Sequence, residues 1–148
     1  MTDWLEHTVQ VDVEANIDLV WKLWSDLEQM PNWMKWISSV KVLEENPDLS
    51  RMSLASGGFE FSWLLRITRL VTNQIIQFES VDGLPNRGAI RFYKRGPNST
   101  IKLTVAYAIP GILGKIMDNL LLGRIVESTI QADLDRFRAY ALTASKQE

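Results

Sequence analysis

The order of periodicities along the chain limits what it can fold into more than any motif does. One strand-period segment comes first, then a short helical stretch, then a run of strands broken by turn residues. A helix of about thirty residues closes the chain, far above the mean helix length of roughly eleven. An antiparallel sheet with one apolar face can bury that face by curling around such a helix. Where the strands enclose more space than the helix fills, the remainder is a ligand pocket.

Leu5, His7, Val9, Val11 and Val13 alternate with Glu6, Thr8, Gln10 and Asp12, the period of a half-buried strand. Asn16 is a good N-cap for a helix from Ile17 to about Asp26, on which Ile17, Val20, Trp21, Trp24 and Leu27 recur at helical spacing. Pro31 breaks or restarts that helix near Trp33. From Trp36 the period returns to two. Turns are expected at Asn46-Pro47-Asp48, Gly57-Gly58, Thr72-Asn73, Asp82 to Asn86 and Gly96-Pro97-Asn98. The strand count is seven, with the first separated from the other six by the helical stretch. Phe59, Phe61, Trp63, Leu65 and Ile67 share one strand face; Ile101, Leu103, Val105 and Tyr107 share that of the last strand.

Pro110-Gly111 is read as the start of the final helix. At 100° per residue, Ile116, Leu120, Gly123, Ile130, Leu134, Phe137 and Ala141 form one stripe. Gly123 within that stripe costs about 1 kcal/mol relative to Ala, which suggests a place where another backbone, or a ligand, comes close. The first half of the helix adds Ile112, Leu113, Met117, Leu121, Leu122 and Ile125. A helix apolar on nearly every side needs more than one apolar neighbour.

Composition narrows the function classes. The 148 residues suit a single domain over residues 1–148 with a substantial core. A net charge of −2 without a Lys/Arg cluster argues against a nucleic-acid partner. The absence of cysteine removes disulfides, thiol catalysis and thiolate metal sites, and the single histidine, His7, removes any two-imidazole site. No metal or cofactor is expected. With no signal-peptide pattern at Met1 to Trp4 and no run of eighteen apolar residues, the expectation is a soluble, cytoplasmic protein. Six tryptophans are present, four of them between Trp21 and Trp36.

The order β-α-α-β6-α resembles the helix-grip fold of the START/Bet-v-1-like (SRPBCC) superfamily. Asn16 to Trp24, Pro31-Asn32-Trp33-Met34, Phe78 to Gly83 followed by Arg87 to Phe92, Thr100 to Tyr107, and Asp133-Leu134-Asp135-Arg136-Phe137 are similar to its polyketide cyclase/dehydrase-like branch, which includes coenzyme-Q-binding relatives. The resemblance spans essentially the whole chain. It implies an α+β fold, with a curved seven-stranded antiparallel sheet wrapped around the C-terminal helix and a hydrophobic cavity between them. It also implies that members bind lipids, sterols, quinones, polyketides or plant hormones, and that only some are enzymes. No catalytic residue set carries over to this chain.

Core and cavity share one surface in such a fold. The expected ligand-binding residues are Phe61, Trp63, Phe78, Phe92, Leu103, Val105 and Tyr107 on the strands, with Met117, Leu120 and Ile130 on the helix; methionine adapts to varied ligand shapes. Glu127, Tyr107 and His7 are the weak catalytic candidates. Glu127, at the edge of the helix stripe, either meets a ligand hydroxyl or simply pairs with Arg124 or water. A lone histidine on an apolar strand face is more often structural. Arg66 and Arg91 lie opposite the apolar face and are expected to be solvated. Residues Ile109 to Val126 with Trp33 and Met34 suggest a mouth that makes transient contact with a membrane surface, unless the helix is covered by the loop after Pro31 or by a second protomer.

The leading expectation is a carrier or binding protein for a hydrophobic small molecule such as a lipid, isoprenoid, quinone or polyketide. A polyketide cyclase or dehydratase is the first alternative, needing an acid–base pair at the cavity. A protein-interaction module using the apolar start of the last helix is the second.

Overall fold

A computed structural model describes residues 4–56, 58–108 and 119–147. Strand β1 (Trp4–Val13) buries Val9, Val11 and Val13 at alternate positions, as its period requires. Asn16 caps helix α1 (Ile17–Ser25), its Oδ1 accepting from the Leu19 backbone N–H at 2.9 Å. Helix α1 buries Ile17, Leu19, Val20 and Trp24. The chain then tightens into a 3₁₀ turn, Leu27–Asn32, that accommodates Pro31; the tighter hydrogen-bonding suits short connectors.

Six strands follow: β2 (Ile37–Leu43), β3 (Asn46–Ser56), β4 (Phe59–Val71), β5 (Ile75–Gly83), β6 (Asn86–Arg95) and β7 (Asn98–Ala108). The described residues form one antiparallel sheet in the order β1-β7-β6-β5-β4-β3-β2. The first strand closes onto the last, from Trp4 opposite Ala108 to Val13 opposite Ser99, so the early helical segment is carried across the concave face.

The β2–β3 turn departs from the sequence reading. It falls at Glu44-Glu45, and Asn46-Pro47-Asp48 already belongs to β3. A register shift between Val42 and Leu43 takes up the irregularity, which lets Pro47 enter a strand without removing a needed ladder bond. Asn46 Oδ1 accepts from the Asp48 N–H at 3.2 Å, the local bond that makes such a segment look like a turn. The β5–β6 turn depends on Gly83, whose φ is +77°; a Cβ there would lie 2.2 Å from the Ser62 carbonyl oxygen.

Helix α2 (Asn119–Lys146) leans on β1 and touches α1. Its buried positions are Val126, Ile130, Asp133, Leu134, Phe137 and Ala141. The expected helix start at Pro110-Gly111 and the apolar residues Ile112, Leu113, Ile116 and Met117 lie outside the described residues, as do the side chains of Leu120, Leu121 and Leu122. Ile125 is an exposed apolar residue of the helix.

The density of tryptophan between residues 21 and 36 has a packing explanation. Trp24, Trp33 and Phe137 are fully buried, with ring centroids 4.9 to 5.3 Å apart, and Tyr140 caps Trp33 at 5.2 Å. Such pairs add about 0.5–1.5 kcal/mol beyond their buried area. Trp33 is thus a centre of the core, and its expected place at a membrane-facing mouth is corrected: it has no exposed surface.

Candidate functional site

An apolar cavity of about 160 Å³ lies between the curled sheet, the 3₁₀ turn and α2. Period-two alternation sends Trp63, Leu65 and Ile67 of β4 and Leu103, Val105 and Tyr107 of β7 to its wall. Ile76 and Phe78 come from β5, and Asn86 and Ile90 from β6. Met30, Met34 and Trp36 approach from the segment after α1, and Met52 from β3. Val126, Ile130 and Asp133 close it from α2, spaced four and three residues apart on one helix face. A concave, largely apolar wall with a few polar groups is the usual character of a small-molecule site.

Of the residues expected from sequence, Trp63, Phe78, Leu103, Val105, Tyr107 and Ile130 line this space. Two do not. Phe92 is buried, but its ring meets Trp21 edge-on at 5.0 Å; it pairs with Ile101, two positions beyond the cavity-lining Ile90, where α1 covers the sheet. Phe61 lies two residues from Trp63 toward the β3–β4 hairpin, half-buried and outside the lining. Met117 and the side chain of Leu120 lie outside the described residues. Glu127 is corrected: it is exposed and outside the lining. Helix α2 turns Val126 and Asp133 inward, and one residue beyond Val126 rotates Glu127 about 100° away.

His7 is half-buried on β1 opposite Val105, with Tyr107 as its diagonal neighbour. Its Nε2 shares a 3.0 Å hydrogen bond with Tyr107 Oη, and the rings stack at 5.7 Å. Burial pushes the Tyr107 phenol up to about 12, so it stays protonated near neutral pH. The close approach expected at Gly123 is not found among the described residues: a Cβ on the glycine would sit 3.5 Å from His7 Cε1, an ordinary van der Waals contact with a side chain.

The sequence reading passed over the most unusual polar group of the site. Asp133 has no exposed surface and lines the cavity. Its Oδ1 accepts from the Lys35 backbone N–H at 3.1 Å and from the Arg136 guanidinium, which also donates from Nε to the Trp33 carbonyl at 3.0 Å. These bonds tie the segment after the 3₁₀ turn to α2. Oδ2 has no partner among the described residues, and neither do Trp24 Nε1 and Trp63 Nε1. Burial raises the Asp133 carboxyl above its ordinary value, outweighing the Lys35 N–H and the nearby Arg136. The available signal was position: residue 133 sits beside Leu134, three residues after Ile130, so a charge there falls on the apolar stripe. Asn86, read as part of a turn, is also in the lining; its Nδ2 donates to the Leu84 carbonyl at 2.8 Å. Among the described residues, no three His, Cys, Asp or Glu side chains come together as a metal site, and no helix is long and apolar enough to cross a membrane.

A curved antiparallel sheet gripping a long helix around an apolar cavity is the helix-grip architecture of START-like proteins. Solved structures share it. A protein from Thermus thermophilus superposes with a TM-score of 0.81 at 21% identity, covering 95% of this chain and 99% of that one. A START superfamily protein from Mycobacterium smegmatis gives 0.78 at 13% identity, covering 94% and 98%. The Zhui aromatase/cyclase of a Streptomyces species gives 0.72 at 22% identity, covering 95% and 94%. The sequence matches the family described as polyketide cyclase / dehydrase and lipid transport over residues 13–135, and the chain belongs to that family. A search of curated proteins finds no match to the sequence.

Proposed function

We propose that this protein binds and carries a hydrophobic small molecule in the cavity between its sheet and α2, as a single ligand-binding domain. The observation that carries the reading is the cavity itself: about 160 Å³ walled by aromatic, aliphatic and methionine side chains from strands and helices alike. An unfilled space of that size costs on the order of 4 kcal/mol of stability at about 24 cal/mol per Å³. A void that serves only packing is readily closed by larger side chains, so its presence favours an occupant. Met30, Met34 and Met52 in the wall allow it to adapt to ligands longer than one ring. Native mass spectrometry on protein purified from its own host, followed by extraction under denaturing conditions, tests the proposal. The expected result is a stoichiometric hydrophobe that is released on unfolding. A homogeneous unliganded mass, together with no binding of added lipids, quinones or aromatic hydrocarbons, would overturn it.

One observation favours a catalytic reading of the same site as the second choice, a cyclase or dehydratase. Tyr107 reaches the cavity and is hydrogen-bonded to His7, a phenol–imidazole pair of the kind that moves protons in general acid–base chemistry. Conversion of a bound polyketide-type substrate, lost in both Tyr107→Phe and His7→Gln, is the result this reading requires.

A further inference from the structure

We infer that the occupant of the cavity is a hydroxyl-bearing ring compound, a phenol or cyclic alcohol, whose O–H donates to Oδ2 of Asp133. This rests on the ligand-binding reading above and gives it a chemical class. Asp133 is fully buried, its Oδ1 carries both protein hydrogen bonds, and its Oδ2 carries none among the described residues. A buried carboxyl oxygen without a hydrogen-bond partner is costly, and native proteins rarely keep one without a role. The rest of the fold does not need this oxygen, since the link between Lys35 and α2 is made through Oδ1.

The wall carries complementary groups as well. The indole N–H groups of Trp24 and Trp63 are buried donors without acceptors among the described residues, and both side chains line the same cavity. A carboxylate accepts only, and an indole donates only. A hydroxyl is a small neutral group that answers both, donating one bond and accepting others. The volume sets the body of the molecule: about 160 Å³ is close to that of a dry cavity that takes benzene, so the present walls fit one substituted ring.

The test compares three para-substituted toluenes on the intact protein at pH 8 by calorimetry: p-cresol, p-xylene of the same size, and 4-methylanisole, one methyl larger than p-cresol. The first carries a hydroxyl where the second carries a methyl, and the third keeps the oxygen but loses its donor. A hydrogen bond to a charged acceptor predicts that p-cresol binds about tenfold or more tightly than either of the others. In Asp133→Asn that preference should fall by about tenfold, while p-xylene affinity stays within about threefold. Equal affinity of the wild-type protein for p-cresol and p-xylene overturns the hydroxyl assignment but leaves the cavity reading standing. Binding of none of the three ligands counts against the cavity reading as well. The wild-type comparison decides the matter even where Asp133→Asn does not fold.

Discussion

Replacing Val126 by phenylalanine separates a true cavity from a filled core by the sign of its effect. Val126 is only 5% exposed and faces the cavity from α2. A void of about 160 Å³ withholds roughly 4 kcal/mol from the fold at about 24 cal/mol per Å³. A phenyl ring is the kind of group such a space admits. Imperfect fit returns part of the gain, because strain from added core atoms runs to about 1–3 kcal/mol. The expected net result is a stabilisation of about 1–3 kcal/mol, which for a chain of this size is a rise in Tm of roughly 2–12 °C. The same ring should block ligand: p-xylene at one hundred times its Kd stabilises the wild-type protein by about 2.7 kcal/mol, and the variant by almost nothing. Thermal unfolding followed by circular dichroism, with and without p-xylene, measures both. A loss of about 1 kcal/mol or more, the lower end of that overpacking strain, with the ligand effect retained would contradict a true cavity at Val126. It would mean that the ring entered a packed core and the ligand binds elsewhere.

Three further outcomes are expected. Phe137→Ala empties the centre of the Trp24–Trp33–Phe137 cluster and should cost about 3–5 kcal/mol, read as a lower urea midpoint at unchanged slope. A cost below about 1 kcal/mol, well under that range, would contradict the packing described. Asp133, raised by burial, binds its proton more tightly in the folded than in the unfolded chain. Its contribution is therefore full below the unfolded pKa and is lost as pH rises through the folded one. The difference in stability between wild type and Asp133→Asn, from urea titrations between pH 4 and pH 8, should shift against the wild type with rising pH; a flat difference would contradict the shift. Gly83→Ala places a Cβ 2.2 Å from a backbone oxygen at positive φ, whereas Gly96→Ala meets open space at a similar φ. The first should cost more than the second, the strained backbone alone accounting for about 1–3 kcal/mol in each; equal urea midpoints would contradict the close approach.

The fold was largely legible because one-faced burial writes itself into the sequence twice. The alternation in β1, β4 and β7 and the Ile130–Leu134–Phe137–Ala141 stripe are both consequences of facing one interior. The Glu44-Glu45 turn was missed because Asn46-Pro47-Asp48 has turn chemistry even inside a bulged strand. The site was legible where a strand's parity decides which side faces in, as for Trp63, Leu103, Val105 and Tyr107. It was not legible where position along the sheet decides. Phe92 has the right parity, yet it lies under α1 and meets Trp21 rather than the cavity. On α2, rotation by one residue separates Glu127 from Val126, and no periodicity fixes a helix to within that angle. Asp133 escaped notice because charged residues are expected to face water, and its partners, Lys35 and Trp33 by way of Arg136, are distant in sequence.

Ligand binding by this fold requires an apolar cavity that admits a ring. Crystals soaked with 4-bromotoluene and measured at the bromine absorption edge test it most directly. The expected result is one dominant anomalous peak per chain, beside Trp63, Leu103 and Ile130. Peaks confined to the surface, with the side chains of Met52, Phe78 and Val126 meeting across the space, would contradict it.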